Sequence, residues 1–299
     1  MCLGEYASTN MPAVDGATCQ VHGDEIELRR EGGAGGAVVV CYADGDSEAW
    51  ALEAPRLEAA RARAAVGEGA APHQRPSFLF PGLRASPFWS RESFPKTVAV
   101  LEAAAPALRQ EVIAMLAAVE GGGSDEDEDD EMEAEGAGEP ARWQPQEEGL
   151  HSGTWQKLEL WAHGGPVAEN CIAAPLAAAA LAALPDAMRE APGRAALSLM
   201  LPGVRVRPHC GPTNHRLRLH LPLLLPEGAC SAGGLSVAGQ GQAWVQDRCL
   251  IFDDSFEHEV ELPSASDGCR PLQELARVVL LVDLWHPDAG VAGLRPPAG

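Results

Sequence analysis

The sequence predicts a mainly β protein with flanking helices, whose C-terminal half closes into an all-β barrel or sandwich. Three observations predict it. Short apolar segments crowd together after residue 195: AALSLMLP, VRVRPH, HRLRLHLPLLLP, GQAWVQDRCLIFDD, FEHEVEL and RVVLLVDLW. Glycine, proline, asparagine and aspartate separate them, which is the punctuation of turns between strands. Several alternate with period two, so one face of each strand is apolar and the other is not.

Composition bounds the reading. With 299 residues and 46% apolar content, the chain can bury one sizeable core and a small appendage. The net charge of −21 and a pI near 4.7 argue against a nucleic-acid or anionic-membrane partner. Ten acids lie between Asp125 and Glu139, and without them the net charge is about −11, so much of the acidity is local. Eight cysteines without a CxxC pair read as reduced thiols rather than a disulfide scaffold. The N-terminal residues show no basic segment followed by an apolar one. The apolar stretch Cys171–Leu184 contains Pro175 and falls short of a membrane span. A soluble, cytoplasmic protein is expected.

Along the chain, residues 1–80 form a poorly defined extension. DEIELRR and AVVVCYADG are expected to make a hairpin, and Pro55–Val66 a short helix. Trp89–Val119 predicts an amphipathic helix with a proline-interrupted middle, its stripe being Phe94, Val98, Leu101, Ala105, Leu108, Val112 and Leu116. The acidic segment at about 121–148 predicts a disordered insertion, because it repels itself and has almost no large apolar groups. It lacks EF-hand spacing. WQKLELWAHG from Trp155 reads as a strand, and Ala173–Glu190 as a helix interrupted at Pro185. The main domain is expected at 81–290 with a barrel core at about 155–288, and 291–299 is a tail.

Two histidines stand out in the barrel half. His209 lies in PHCGPTNHRLRLHLPL and His258 in IFDDSFEHEV, both at the edges of strand-like segments. They suggest two ligands for one metal, although imidazole alone does not choose between iron, copper, nickel and zinc. In HRLRLHL, alternation puts Arg216, Arg218 and His220 on one face and leucines on the other. Such a basic face is costly inside a barrel unless anions or metal meet it. Arg277 opens a strand expected to be buried, and a guanidinium there calls for a bidentate carboxylate. Arg270 lies in a loop, so the strand context favours Arg277.

Histidine, strands, histidine and then an arginine opening a late strand resembles the layout of Fe(II) and 2-oxoglutarate dioxygenases. Their fold is a double-stranded β-helix, also described as a jelly-roll or cupin-like barrel. More specifically, PHCGPTNHRLRLHLPL, IFDDSFEHEV, RVVLLVDLWHPD and the upstream LELWAHGGPVAENCIAAP resemble the aspartyl/asparaginyl β-hydroxylase family, from about Trp89 to Asp288.

That resemblance implies Fe(II) held by His209 and His258. It implies 2-oxoglutarate as cosubstrate at Ser198, Arg218, His220 and Arg277, with O2 as oxidant. It implies Arg216 and Trp161 on the substrate side. Gly211, two residues past His209, stands where the wider superfamily has a carboxylate ligand, and the family shares this absence. The implied reaction is hydroxylation of the β-carbon of Asp or Asn in a peptide or protein. A lipid acyl chain remains an alternative substrate, because His163 and Gly165 replace residues typical of the substrate segment and no helical-repeat region precedes the barrel. A non-catalytic jelly-roll binding module is a further alternative. Asp253 and Asp254 read as turn residues, with Asp253 or Ser255 able to brace a histidine. His286, Cys210 and Cys249 read as structural.

Overall fold

The computed structural model describes residues 71–80, 82–121, 143–146, 149–226, 234–264 and 270–295, together with the backbone of four strands between residues 10 and 42. Those four, β1 (Asn10–Val14), β2 (Ala17–His22), β3 (Glu25–Arg30) and β4 (Val39–Tyr42), form an antiparallel meander. The expected hairpin is β3 paired with β4, from Glu25 opposite Tyr42 to Leu28 opposite Val39. The helix expected at Pro55–Val66 and most of the acidic insertion lie outside the described residues.

The remaining elements, in chain order, are β5 (Phe88–Trp89), α1 (Pro95–Gly121), β6 (Gln144–Pro145), β7 (His151–Ser152), β8 (Trp155–Ala162), β9 (Gly165–Pro166), α2 (Ala168–Ala173), α3 (Pro175–Ala182), β10 (Ala195–Met200), β11 (Arg205–His209), β12 (Arg216–Leu224), β13 (Leu235–Val237), β14 (Gln240–Gln242), β15 (Leu250–Phe252), β16 (His258–Glu261), α4 (Leu272–Leu275) and β17 (Arg277–Trp285). They build two antiparallel sheets. The larger runs β5-β15-β12-β17-β10-β8-β6 with β9 on β8, and the smaller runs β14-β13-β16-β11-β7.

The two faces of the larger sheet have different partners, and register shows which side chain goes where. Leu197 and Leu199, Leu217 to Leu223 at odd positions, and Val278 to Leu284 at even positions join one apolar cluster with α1. The stripe expected for this helix is buried there, from Phe94 through Leu116. Each fully buried leucine contributes roughly 1.5–3 kcal/mol, so the helix is held by its stripe rather than by propensity. On the other face, Met200, Phe252 and Trp155 pack with Val206, Val237 and Val260 of the smaller sheet. This second cluster fills the interior between the sheets, giving the jelly-roll barrel with helices outside.

Three boundaries differ from the sequence reading. The long helix begins at Pro95 and runs through Pro106, while Trp89 belongs to a strand beside Ile251. The helical region after 168 breaks at Ala174, before Pro175, because the proline ring excludes the α conformation from the preceding residue. Ala174 accordingly sits at φ −129°, ψ 64°. GQAWVQDRCLIFDD is a strand, a loop and a second strand rather than one strand.

Residues 71–89, partly assigned to the extension by the sequence reading, run along the loops that carry the histidines. The Arg75 N–H donates to the Ser255 carbonyl at 3.0 Å, and the Glu257 N–H to the His73 carbonyl at 2.7 Å. Farther along, the Phe78 N–H donates to the Pro212 carbonyl, and Phe80 exchanges two hydrogen bonds with the Asn214 side chain.

Candidate active site

His209 and His258 are cross-strand partners on β11 and β16 of the smaller sheet. Val206 is directly opposite Val260, so simple alternation would turn His209 away from the interior. One extra residue enters β11 between Val206 and His209, and this bulge brings His209 opposite His258. The ring centroids are 4.1 Å apart. In each ring Nδ1 lies against the backbone carbonyl two residues earlier, at 2.8 Å from Arg207 and 2.9 Å from Phe256. A carbonyl only accepts, so each ring carries a proton on Nδ1, and a neutral ring then has its lone pair on Nε2. Burial, then His209, pushes His258 down to about 3 and keeps the ring neutral. Neutral imidazoles with a fixed tautomer are a metal donor set.

Among the described residues, no group of three His, Cys, Asp or Glu side chains is placed to hold a metal. Position 211 has no room for a side chain. A Cβ on Gly211 would stand 2.4 Å from Oδ2 of Asp254. Asp254 is fully buried, and its carboxylate accepts from Arg216 at 3.0 Å and pairs with Arg218 at 3.4 Å. Asp283 on β17 binds the same arginines from the other side, at 2.7 Å and 3.0 Å. Burial pushes the Asp254 carboxyl up, but Arg216 and Arg218 outweigh it and the group settles at about 2. Two arginines and two carboxylates thus form a buried network with no net charge.

Arg277 is different. Its side chain is on the interior face of β17, 1% exposed, and its Nε and Nη1 have no hydrogen-bond partner. Burial pushes the guanidinium down to about 9. The indole of Trp244 lies against it, with Cζ 4.2 Å from the ring centroid. Ser198 faces the same interior, because it pairs directly with Val279, two residues from Arg277. Its hydroxyl accepts from Trp155 Nε1 at 3.0 Å. His220, opposite Leu281, shares that face, and Phe252 makes edge contacts with both His220 and His258. A buried cation with unpaired donors therefore stands on the larger sheet, and a histidine pair on the smaller one.

A profile of the family described as "Aspartyl/Asparaginyl beta-hydroxylase" matches residues 102–287. The chain belongs to this family. This β-hydroxylase-family chain is 31% identical over 225 residues to human "Aspartyl/asparaginyl beta-hydroxylase", covering 74% of the chain and 26% of that protein. It is 37% identical over 236 residues to human "Aspartate beta-hydroxylase domain-containing protein 1", covering 78% and 52%. With human "Aspartate beta-hydroxylase domain-containing protein 2" it shares 40% over 143 residues, 47% of the chain and 36% of that protein. The chain thus spans about a quarter to a half of the curated relatives it matches.

In this β-hydroxylase-family protein the interior brings together His209, His258, Ser198, Arg216, Arg218, His220 and Arg277. Trp161 lies elsewhere: it packs against the helix-covered core, and its Nε1 donates to the Arg189 carbonyl at 2.9 Å. Two buried groups, Asp283 and Trp244, escaped the sequence reading, and a third, Asp254, was expected as a turn residue only. Asp254 and Asp283 clamp the arginines, and Trp244 links Arg277 with His220. Asp283 had a signal in the strand arithmetic, since it is directly opposite Arg218. Asp253 accepts from the Ser255 N–H and hydroxyl, and Ser255 accepts from Gln74, so this acid braces the loop before His258. His286 is buried between the Arg84 carbonyl, the Asp288 N–H and the Trp89 ring, a structural position.

Proposed function

We propose that the protein is an Fe(II)- and 2-oxoglutarate-dependent dioxygenase that hydroxylates the β-carbon of Asp or Asn in a peptide or protein. The observation that carries this reading is Arg277, a buried guanidinium with two unpaired N–H groups facing the same interior as the histidine pair. An unpaired buried charge costs several kcal/mol, about what a bound carboxylate would return. The C5 carboxylate of 2-oxoglutarate supplies that partner in bidentate geometry.

The donor set also fits a divalent iron. His209 and His258 would hold it through Nε2, and the shortage of protein ligands leaves positions for the cosubstrate, water and O2. Bound iron supplies O2 activation coupled to decarboxylation of 2-oxoglutarate. The chain's own residues do the rest. Arg277, Ser198 and His220 orient the cosubstrate, with Arg218 beside them. Phe252, Phe256 and Val260 line the interior and keep water from a reactive centre. Arg216 is the residue assigned to the substrate carboxylate. Asp254 and Asp283 neutralise its charge, so its contribution is directional rather than long-range attraction.

The test is anaerobic purification, reconstitution with Fe(II), and measurement of 2-oxoglutarate conversion to succinate with and without Asp- and Asn-containing peptides. Peptide-stimulated succinate and a 16 Da gain on the peptide are expected. Absence of both 2-oxoglutarate binding and turnover would overturn the reading.

A further inference from the structure

Trp244 lies in the loop between β14 and β15 and is 1% exposed. It touches two residues at the anion end of the site. Its ring face covers the Arg277 guanidinium, which leaves the edge of that planar group, with Nε and Nη1, to meet an anion. Its Nε1 is 3.3 Å from Nδ1 of His220. An indole N–H only donates, so His220 Nδ1 must accept. In a neutral ring the proton is then on Nε2, the one remaining polar atom.

We infer that Trp244 is a positioning residue for the cosubstrate: its face aims the Arg277 guanidinium, and its N–H selects the His220 tautomer that donates through Nε2. The other tautomer would present a lone pair there and repel a carboxylate. Burial, followed by Arg277, Arg218 and His258, keeps His220 neutral, so the choice between tautomers persists at neutral pH. This inference rests on the proposed 2-oxoglutarate reading for its ligand, but not for the tautomer.

The test is long-range ¹H–¹⁵N NMR of the metal-free protein labelled at histidine nitrogen, with His220 assigned from a His220→Gln spectrum. Wild-type His220 is expected to be protonated on Nε2. Trp244→Phe, which keeps a ring under Arg277 and loses only the N–H, should shift the proton toward Nδ1. Calorimetric titration with 2-oxoglutarate should show about tenfold weaker binding in Trp244→Phe and about 100-fold in Trp244→Leu. In turnover, Trp244→Phe should raise the cosubstrate KM by more than it lowers kcat.

A purely structural tryptophan would leave the tautomer unchanged. A wild-type ring protonated on Nδ1, or an unaltered tautomer in Trp244→Phe, would overturn the inference. If the variant does not fold, a through-hydrogen-bond coupling from the Trp244 Nε1–H to His220 Nδ1 in wild-type protein labelled at both rings decides instead, and its absence overturns the inference. Wild-type protein that holds the Nε2 tautomer yet binds no 2-oxoglutarate would sink the proposed function and leave the hold of Trp244 on His220 standing.

Discussion

Asp254 occupies the space that any side chain at Gly211 would need, with its Oδ2 only 2.4 Å from where a Cβ would stand. The carboxylate cannot swing aside cheaply, because Arg216 and Arg218 hold it. Gly211→Ala should therefore lose about 2 kcal/mol of stability in urea unfolding. It should also weaken Fe(II) binding, since the displaced loop leads to His258. A variant as stable as wild type would show that Asp254 has room to move.

Arg277 should carry a trade between stability and binding. Methionine has similar length and no charge to bury, so Arg277→Met is expected to stabilise the metal-free protein by about 1–3 kcal/mol. The same change should abolish measurable 2-oxoglutarate binding by calorimetry. A fall in melting temperature would mean that the guanidinium is paid for by partners within the protein.

Removing either histidine should remove the metal. His209→Ala and His258→Ala are each expected to cut Fe(II)-dependent turnover more than about 100-fold, since among the described residues these two side chains are the proposed metal ligands. Binding of Mn(II) followed by electron paramagnetic resonance checks this without turnover. Retained Mn(II) affinity in both variants would place the metal elsewhere.

Asp253 predicts a pH dependence. Burial, with Asp254 adding to it against the Ser255 hydrogen bonds, raises its carboxyl to about 7. The folded state therefore holds a proton that the unfolded chain releases near pH 4. This contribution to stability is full below about pH 4 and is lost as pH rises toward 7. Asp253→Asn has no charge to bury, so its stability relative to wild type should rise over that interval, by on the order of 2 kcal/mol. Urea midpoints at pH 4.5 and 7.5 measure it, and parallel curves for the two proteins would disprove the assignment.

The sequence makes some of this site readable for plain geometric reasons. Arg216, Arg218 and His220 alternate, and alternation alone puts them on one face of β12. Arg277 stands out because it opens an unbroken apolar strand, and its burial follows from that strand. His209 is harder, because alternation from Val206 points it outward and only the bulge reverses that. The bulge leaves no mark in the residue types around it. FDDSFEH does form a turn, yet both aspartates are buried: Asp253 is held by Ser255 within the turn, whereas the partners of Asp254, Arg216 and Arg218, come from β12. Trp244 sits in a segment that reads as one strand, and its role depends on two residues from other strands. Residues 71–80 attach through backbone hydrogen bonds, which no side-chain periodicity announces.

The histidine pair and Arg277 belong to different sheets, so no strand register fixes the gap between them. Phe252, Phe256, Val237 and Val260 belong to the apolar cluster in which side chains of the two sheets meet. The distance between the histidine pair and the Arg277 guanidinium is thus a property of core volume, as the separation of two plates is set by what lies between them. A methylene removed from a core residue that touches neither the histidines nor the guanidinium would change that distance with every polar residue left in place.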